Sequence, residues 1–86
     1  MEINMKKQEL ISYIKEELGI ILEMDSSSID EYENFLKLGL SSLQSLKIVN
    51  RLQNKLDIEI NPIAMFEYKS IDTFAEYLSN NTFAPE

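Results

Sequence analysis

Leu38-Gly39-Leu40-Ser41-Ser42-Leu43 joins a stretch of the chain that has no period to one that has a clear period. From Ser41 or Ser42 to about Leu56, the residues Leu43, Leu46, Val49 or Ile48, Leu52 and Leu56 recur at the spacing of one helical face. They predict an amphipathic helix with these side chains turned inward. Ser41 and Gln44 fit the Ser-x-x-Gln capping box, in which the serine oxygen takes an amide three residues on and the glutamine reaches back. The serine pair therefore marks a boundary between loop and helix, where unpaired N–H groups and a partial positive charge point outward. On this pattern alone Ser41 is a cap, Ser42 is the first helical residue, and neither needs a modification.

The flanks supply three more helices. Leu10 or Ile11, Ile14 and Leu18 hold helical spacing from about Asn4, and Gly19 suits the left-handed residue that closes a helix. Ile20 to Leu40 keeps no period and includes Asp25-Ser26-Ser27-Ser28, so it reads as a loop of about twenty residues with a short turn near Ile29. A loop of that length normally counts against an assignment. Here Ile21, Leu22, Ile29, Phe35, Leu36 and Leu38 give it apolar anchors. Asn61-Pro62 reads as an N-cap and a first-position proline opening a short helix through Phe66. Ser70 caps a last helix in which Ile71, Phe74, Ala75 and Leu78 occupy positions i, i+3, i+4 and i+7. The expected fold is all-α: a small four-helix bundle with a long first loop and a short third helix. It forms a single domain over residues 1–86, with a helical core over about 4–79 and a tail or linker over 80–86.

Composition narrows what such a bundle can do. A chain of 86 residues buries only roughly 60% of its unfolded surface, which leaves little room for an internal catalytic cavity. It has no cysteine, hence no disulfide or thiolate metal site, and no histidine, the commonest general base. An autonomous hydrolase or zinc enzyme is improbable. No apolar run is long enough to span a membrane and the first residues lack a signal pattern, so the expected location is the cytoplasm. The net charge of −7 argues against nucleic acid as a partner. Residues Ser41 to Leu56 nevertheless carry Lys47, Arg51 and Lys55 and no acid, whereas acids outnumber bases nine to four before them and six to one after. Such a stripe is either a solvated helix face or a surface that steers a charged partner.

The Gly39–Leu43 run resembles the attachment motif of acyl and peptidyl carrier proteins, commonly Gly-x-Asp-Ser-Leu, with Ser41 standing where the aspartate is usual. The resemblance extends through Asn50-Arg51-Leu52, the turn at Pro62, Phe66-Glu67-Tyr68 and Tyr77-Leu78, in the order found in carrier domains of modular polyketide synthases. It covers about Met5 to Leu78, and Lys69 replaces a usual proline. This likeness implies that Ser42 receives 4'-phosphopantetheine from coenzyme A, delivered by a phosphopantetheinyl transferase with magnesium. A phosphate at a helix start gains about 0.3–1 kcal/mol from the backbone field. The chain would be a non-catalytic, monomeric shuttle that presents thioesters to a ketosynthase, acyltransferase or acyl ligase. Ser41, Leu43, Lys47, Arg51 and Met65 are the expected partner-recognition residues, although a methionine on the third helix more often packs in the core. Fatty-acid carriers usually show an acidic second helix and peptidyl carriers a Gly-Gly-x-Ser-Leu motif, so a polyketide or hybrid polyketide–peptide type fits best. The alternatives are a fatty-acid or peptidyl carrier, or an unmodified interaction module of the same fold, which the loss of the aspartate at Ser41 would favour.

Overall fold

Helix formation here follows the apolar stripes. The structure, a computed structural model, describes residues 6–82. Its helices are α1 (Lys7–Leu22), α2 (Ser42–Leu56), α3 (Ala64–Glu67) and α4 (Ile71–Thr82), with a 3-10 turn at Ser26–Ser28. Among the described residues the one strand-like feature is an isolated bridge between Asn34 and Ser70. The four-helix expectation holds.

Leu10, Ile11, Ile14 and Leu18 of α1 are buried and face the fully buried Ile71, Phe74, Ala75 and Leu78 of α4 across the main helix–helix interface. At its edge Lys7 Nζ lies 3.0 Å from Asp72 and 3.2 Å from Glu76, and these two hydrogen bonds raise the lysine pKa. Being exposed, the bridges orient the helices more than they stabilise them.

The end of α1 differs from the expectation at Gly19. The helix continues to Leu22, and Glu23 takes the left-handed conformation (φ 57°) that Gly19 was expected to hold. Gly19 serves a different need. Its carbonyl accepts the Met24 amide at 3.0 Å as the chain turns back over the helix, and a Cβ on residue 19 would lie 2.7 Å from the Met24 carbonyl oxygen. Close backbone approach, not left-handed geometry, is what demands a glycine here. The expected start near Asn4 lies outside the described residues, and α4 runs past the expected boundary at 79 to Thr82.

Residues 23–41 are anchored to the core at three points. Ile29, Phe35 and Leu40 are buried, Ile21, Leu22 and Leu38 pack at its margin, and the Phe35 ring meets Phe74 edge-on at 6.2 Å. Leu36, expected as an anchor, is instead 72% exposed. Hydrogen bonds fix the loop to the start of α4: Phe35 N–H donates to Lys69 O at 2.8 Å, and Asp72 N–H, an orphan donor of the first helical turn, donates to Glu31 O at 2.9 Å. A nineteen-residue connection is tolerated because many of its backbone groups find partners and Ile29, Phe35 and Leu40 join the core.

Helix α3 begins later than the proline suggests. Asn61 O accepts from Ala64 N–H at 2.9 Å and Asn61 Oδ1 accepts from Ile63 N–H at 3.1 Å, so Asn61-Pro62 forms a turn ahead of the helix, with proline in the position that fixes φ. Ser70 caps α4 as expected: its oxygen accepts the Thr73 amide at 3.3 Å.

The crowding at Gly19 yields a test. Gly19→Ala gains helix propensity of roughly 0.8–1 kcal/mol but forces the turn at Met24 to move, a strain of about 1–3 kcal/mol. The variant is expected to melt below the parent in thermal unfolding followed by circular dichroism. A melting temperature at or above the parent's would show that the turn yields freely.

Candidate functional site

The site begins at Asn34, seven residues before the cap. Asn34 Oδ1 accepts from Leu36 N–H at 2.8 Å, Leu36 O accepts from Gly39 N–H at 3.1 Å, and Phe35 O accepts from Leu40 N–H at 3.1 Å. These bonds coil residues 34–40 into consecutive turns. Gly39 has φ 98°, a conformation that costs a residue with a Cβ about 1–3 kcal/mol, although the space around it is open. That rotation buries Leu40 and delivers Ser41 to the helix start.

The capping box forms as the sequence implies. Ser41 Oγ accepts from Gln44 N–H at 3.1 Å, Gln44 Oε1 accepts from Ser41 N–H at 2.9 Å, and Ser41 O accepts both Ser45 N–H at 2.9 Å and Ser45 Oγ–H at 3.0 Å. Ser41 is thus fully engaged. Ser42 is exposed, and its hydroxyl has no partner among the described residues. The Ser42 and Leu43 amides likewise lack acceptors there, and the first turn of α2 contains no acid. An exposed hydroxyl beside two free amides at the positive end of a helix suits a phosphodiester. It does not suit catalysis: nothing nearby can take the serine proton, and no cluster of metal-binding side chains exists among the described residues.

The inward face of α2 is Ser45, Ile48, Val49, Leu52 and Leu56. The expected stripe was out of phase at its start. Leu43 is 66% and Leu46 46% exposed, because the i, i+3, i+4, i+7 pattern begins at a serine, which a hydropathy reading passes over. Leu43 therefore stands on the surface next to Ser42. Met65, a recognition candidate for which core packing was the more frequent alternative, is 3% exposed and belongs to the core; the exposed apolar residues around α3 are Ile63 and Phe66.

The basic residues of α2 are not equivalent. Lys47 and Lys55 are exposed and make no ion pair among the described residues. Arg51 Nε donates to Glu17 Oε1, a bond that raises the arginine pKa, and the Glu17 carboxylate on α1 is buried. Beside them the Tyr13 hydroxyl is buried without a hydrogen-bond partner, and burial, reinforced by Glu17, pushes its pKa up. Nothing in the sequence spacing, 34 residues, pointed to the Glu17–Arg51 bridge between helices.

The chain belongs to the phosphopantetheine-attachment family: residues 8–78 match the family model described as "Phosphopantetheine attachment site". Members carry 4'-phosphopantetheine covalently and are carriers, not enzymes. The fold is similar to that of Asl1650, an acyl carrier protein from Anabaena sp. PCC 7120 with a variant phosphopantetheinylation-site sequence, at 26% identity over 96% of each chain and a TM-score of 0.84. It is similar to a free-standing peptidyl carrier protein from an uncharacterized secondary metabolic pathway of Acinetobacter baumannii (24% identity, 87% of this chain and 94% of that chain, TM-score 0.83). BlmI, a type II acyl carrier protein of bleomycin biosynthesis in Streptomyces verticillus, matches at 23% identity over 86% and 87% of the two chains, with a TM-score of 0.78.

The two serines separate experimentally. Ser41→Ala removes an engaged cap and should cost about 1 kcal/mol, which lowers the melting temperature of a domain this size by roughly 4–8 °C. Ser42→Ala removes a hydroxyl that bonds to nothing and should leave melting unchanged. Equal effects of the two substitutions in thermal unfolding would contradict the capping geometry.

Proposed function

We propose that Ser42 is the attachment residue and that the loaded chain carries acyl intermediates as thioesters for an assembly line of polyketide type. The observation that carries this reading is the free Ser42 hydroxyl beside the unpaired Ser42 and Leu43 amides, within the span that matches the family. A transferase supplies the base that Ser42 lacks. The serine oxygen bonds to the phosphorus nearer the pantetheine of coenzyme A, the phosphoanhydride breaks, adenosine 3',5'-bisphosphate leaves, and the hydroxyl proton passes to the transferase. The arm then ends in a thiol that holds an acyl group, and tethering raises the local concentration of that group at partner enzymes.

Three features support the choice of pathway. The face of α2 is basic, unlike the acidic face usual in fatty-acid carriers, and Gly39 is followed by Leu40, not by the second glycine usual in peptidyl carriers. The neighbours from bleomycin biosynthesis and from a secondary metabolic pathway support specialised metabolism. Ser41 in place of the usual aspartate is compatible with loading, because the cap survives and a similar acyl carrier protein also has a variant attachment sequence. The partners are a phosphopantetheinyl transferase and a ketosynthase, acyltransferase or acyl ligase, met in the cytoplasm by a monomeric carrier. Leu43, Leu46, Lys47 and Lys55 form the docking face, with Ser41 at its head and Arg51 holding α2 to α1.

Incubation with a broad-specificity transferase and coenzyme A is expected to add one phosphopantetheine to the intact mass. Ser42→Ala should abolish the gain while Ser41→Ala keeps it; the opposite pattern assigns the arm to Ser41.

A second measurement divides the basic stripe. Lys47→Glu combined with Lys55→Glu should leave thermal stability unchanged and slow turnover with the cognate partner at low salt, with the deficit shrinking as salt rises. Arg51→Glu should lower the melting temperature, because it leaves Glu17 buried without its cation. Partner kinetics indifferent to the lysine reversals at low salt would make the stripe a solvated face only.

A further inference from the structure

Tyr13, Glu17 and Arg51 form a cluster in which one member is unused. Tyr13 and Glu17 stand one turn apart on α1, at the i, i+4 spacing that brings side chains together, and Arg51 reaches Glu17 from α2. The Glu17 side chain is 6% exposed and accepts the Arg51 Nε–H, whereas the Arg51 side chain is 43% exposed. The Tyr13 hydroxyl is buried beside them with no hydrogen-bond partner among the described residues. Burial and then Glu17 raise its pKa while Arg51 lowers it, so the phenol lies within electrostatic reach of both.

A buried hydroxyl with no partner has given up water for nothing, and phenylalanine fills such a place at lower cost. The hydroxyl gains a use in a second arrangement of the same three residues. A buried carboxylate holds its arginine because losing the cation leaves it unpaired. A phenol can donate to that carboxylate and lift much of the penalty. With Tyr13 in reserve, Arg51 can leave Glu17 without abandoning a bare charge between the helices.

The helix around Arg51 says what it would turn to. Lys47 and Lys55 flank it at intervals of four residues, and no acid occurs from Ser41 to Leu56, so a surface complementary to this stretch carries carboxylates. Arg51 lies nine residues beyond Ser42, about 14 Å along the helix, inside the footprint of a protein docked at the serine. The transferase is the partner that must reach Ser42 itself.

Resting on the carrier reading, we infer that Arg51 is a reserved docking residue: on contact it turns from Glu17 to a carboxylate of the transferase that loads Ser42, and the Tyr13 hydroxyl donates to Glu17 in its place. Arg51 does not steer the approach, since it is bonded until contact. It tightens the complex once formed, and Tyr13 acts only through it, as a positioning residue.

The test follows loading by a broad-specificity transferase with coenzyme A at varied carrier concentration, alongside thermal unfolding. Tyr13→Phe is expected to keep or slightly raise the melting temperature and to raise KM for the carrier about two- to fivefold, the effect of one exposed ion pair, with kcat unchanged. Arg51→Met should raise KM by as much and the double variant no further, because an arginine locked on Glu17 contributes as little as one removed. Melting should couple in the opposite sense: Arg51→Met lowers it, and adding Tyr13→Phe lowers it by roughly 4–8 °C more, one hydrogen bond in a domain of this size. An unchanged KM in Tyr13→Phe overturns the inference. So does an Arg51→Met effect on KM that persists undiminished in the Tyr13→Phe background, or melting losses that simply add. If the double variant does not fold, KM of Tyr13→Phe alone decides. A chain that gains no mass with the transferase defeats the carrier reading itself, and the inference with it.

Discussion

Phe35 is the side chain on which the geometry of this small domain depends. Its ring enters the core edge-on to Phe74, a contact of about 0.5–1.5 kcal/mol beyond simple burial, while its amide ties the loop to Lys69 at the entrance of α4. Everything between Phe35 and Ser41 is then determined by short-range bonds: the asparagine turn at Asn34, the rotation at Gly39, and burial of Leu40. The serine that follows is exposed because the residues before it are held. A carrier must offer its hydroxyl to a second protein in reproducible geometry, and a long loop pinned at one aromatic residue provides that without an extended scaffold.

The charges of α2 show how packing alters the meaning of a motif. Lys47, Arg51 and Lys55 are spaced every four residues and read as one stripe, yet the structure divides them. Arg51 faces inward enough to meet Glu17, a carboxylate with almost no access to water, and so belongs to the α1–α2 interface. A buried carboxylate costs several kcal/mol unless it is paired, so the arginine is needed where it is and is not free to steer an encounter. The exposed part of the stripe is smaller than the sequence suggests, two lysines beside Leu43 and Leu46, and is both cationic and apolar.

Much of the fold was legible because it rests on local rules. The α2 boundaries, the Ser41–Gln44 capping box, the Ser70 cap and the α4 stripe all involve residues within one or two turns of each other, and all appear as read. The misreadings share one cause. Gly19 reads as a terminator because its conformational freedom shows in sequence, whereas the approach of Met24 does not. Asn61-Pro62 has the composition of a helix start, but its bonds close a turn first. Leu43 and Leu46 lie outside the buried face of α2 because the phase of a short stripe depends on which residue begins it, and here a serine does. At the site, Ser42 is legible as the first helical residue after the cap, while the Glu17–Arg51 bridge depends on a contact across the chain that no spacing encodes.

The substitution at Ser41 follows from the same local economy. An aspartate could accept the Gln44 amide just as the serine does, so the cap alone does not require either residue. What differs is charge. A carboxylate at the cap would lie beside the phosphodiester proposed at Ser42, and two anions at about 4 Å near a protein surface repel by roughly 4 kcal/mol before salt and solvent reduce it. Serine removes that repulsion and keeps the hydrogen bond, leaving the positive end of α2 to the phosphate. The cost falls on recognition, because a partner that reads an acid at this position finds a neutral hydroxyl already engaged by Gln44. Under the proposed loading at Ser42, recognition would fall to Leu43, Lys47 and Lys55, which stay exposed on α2 and free to make contact.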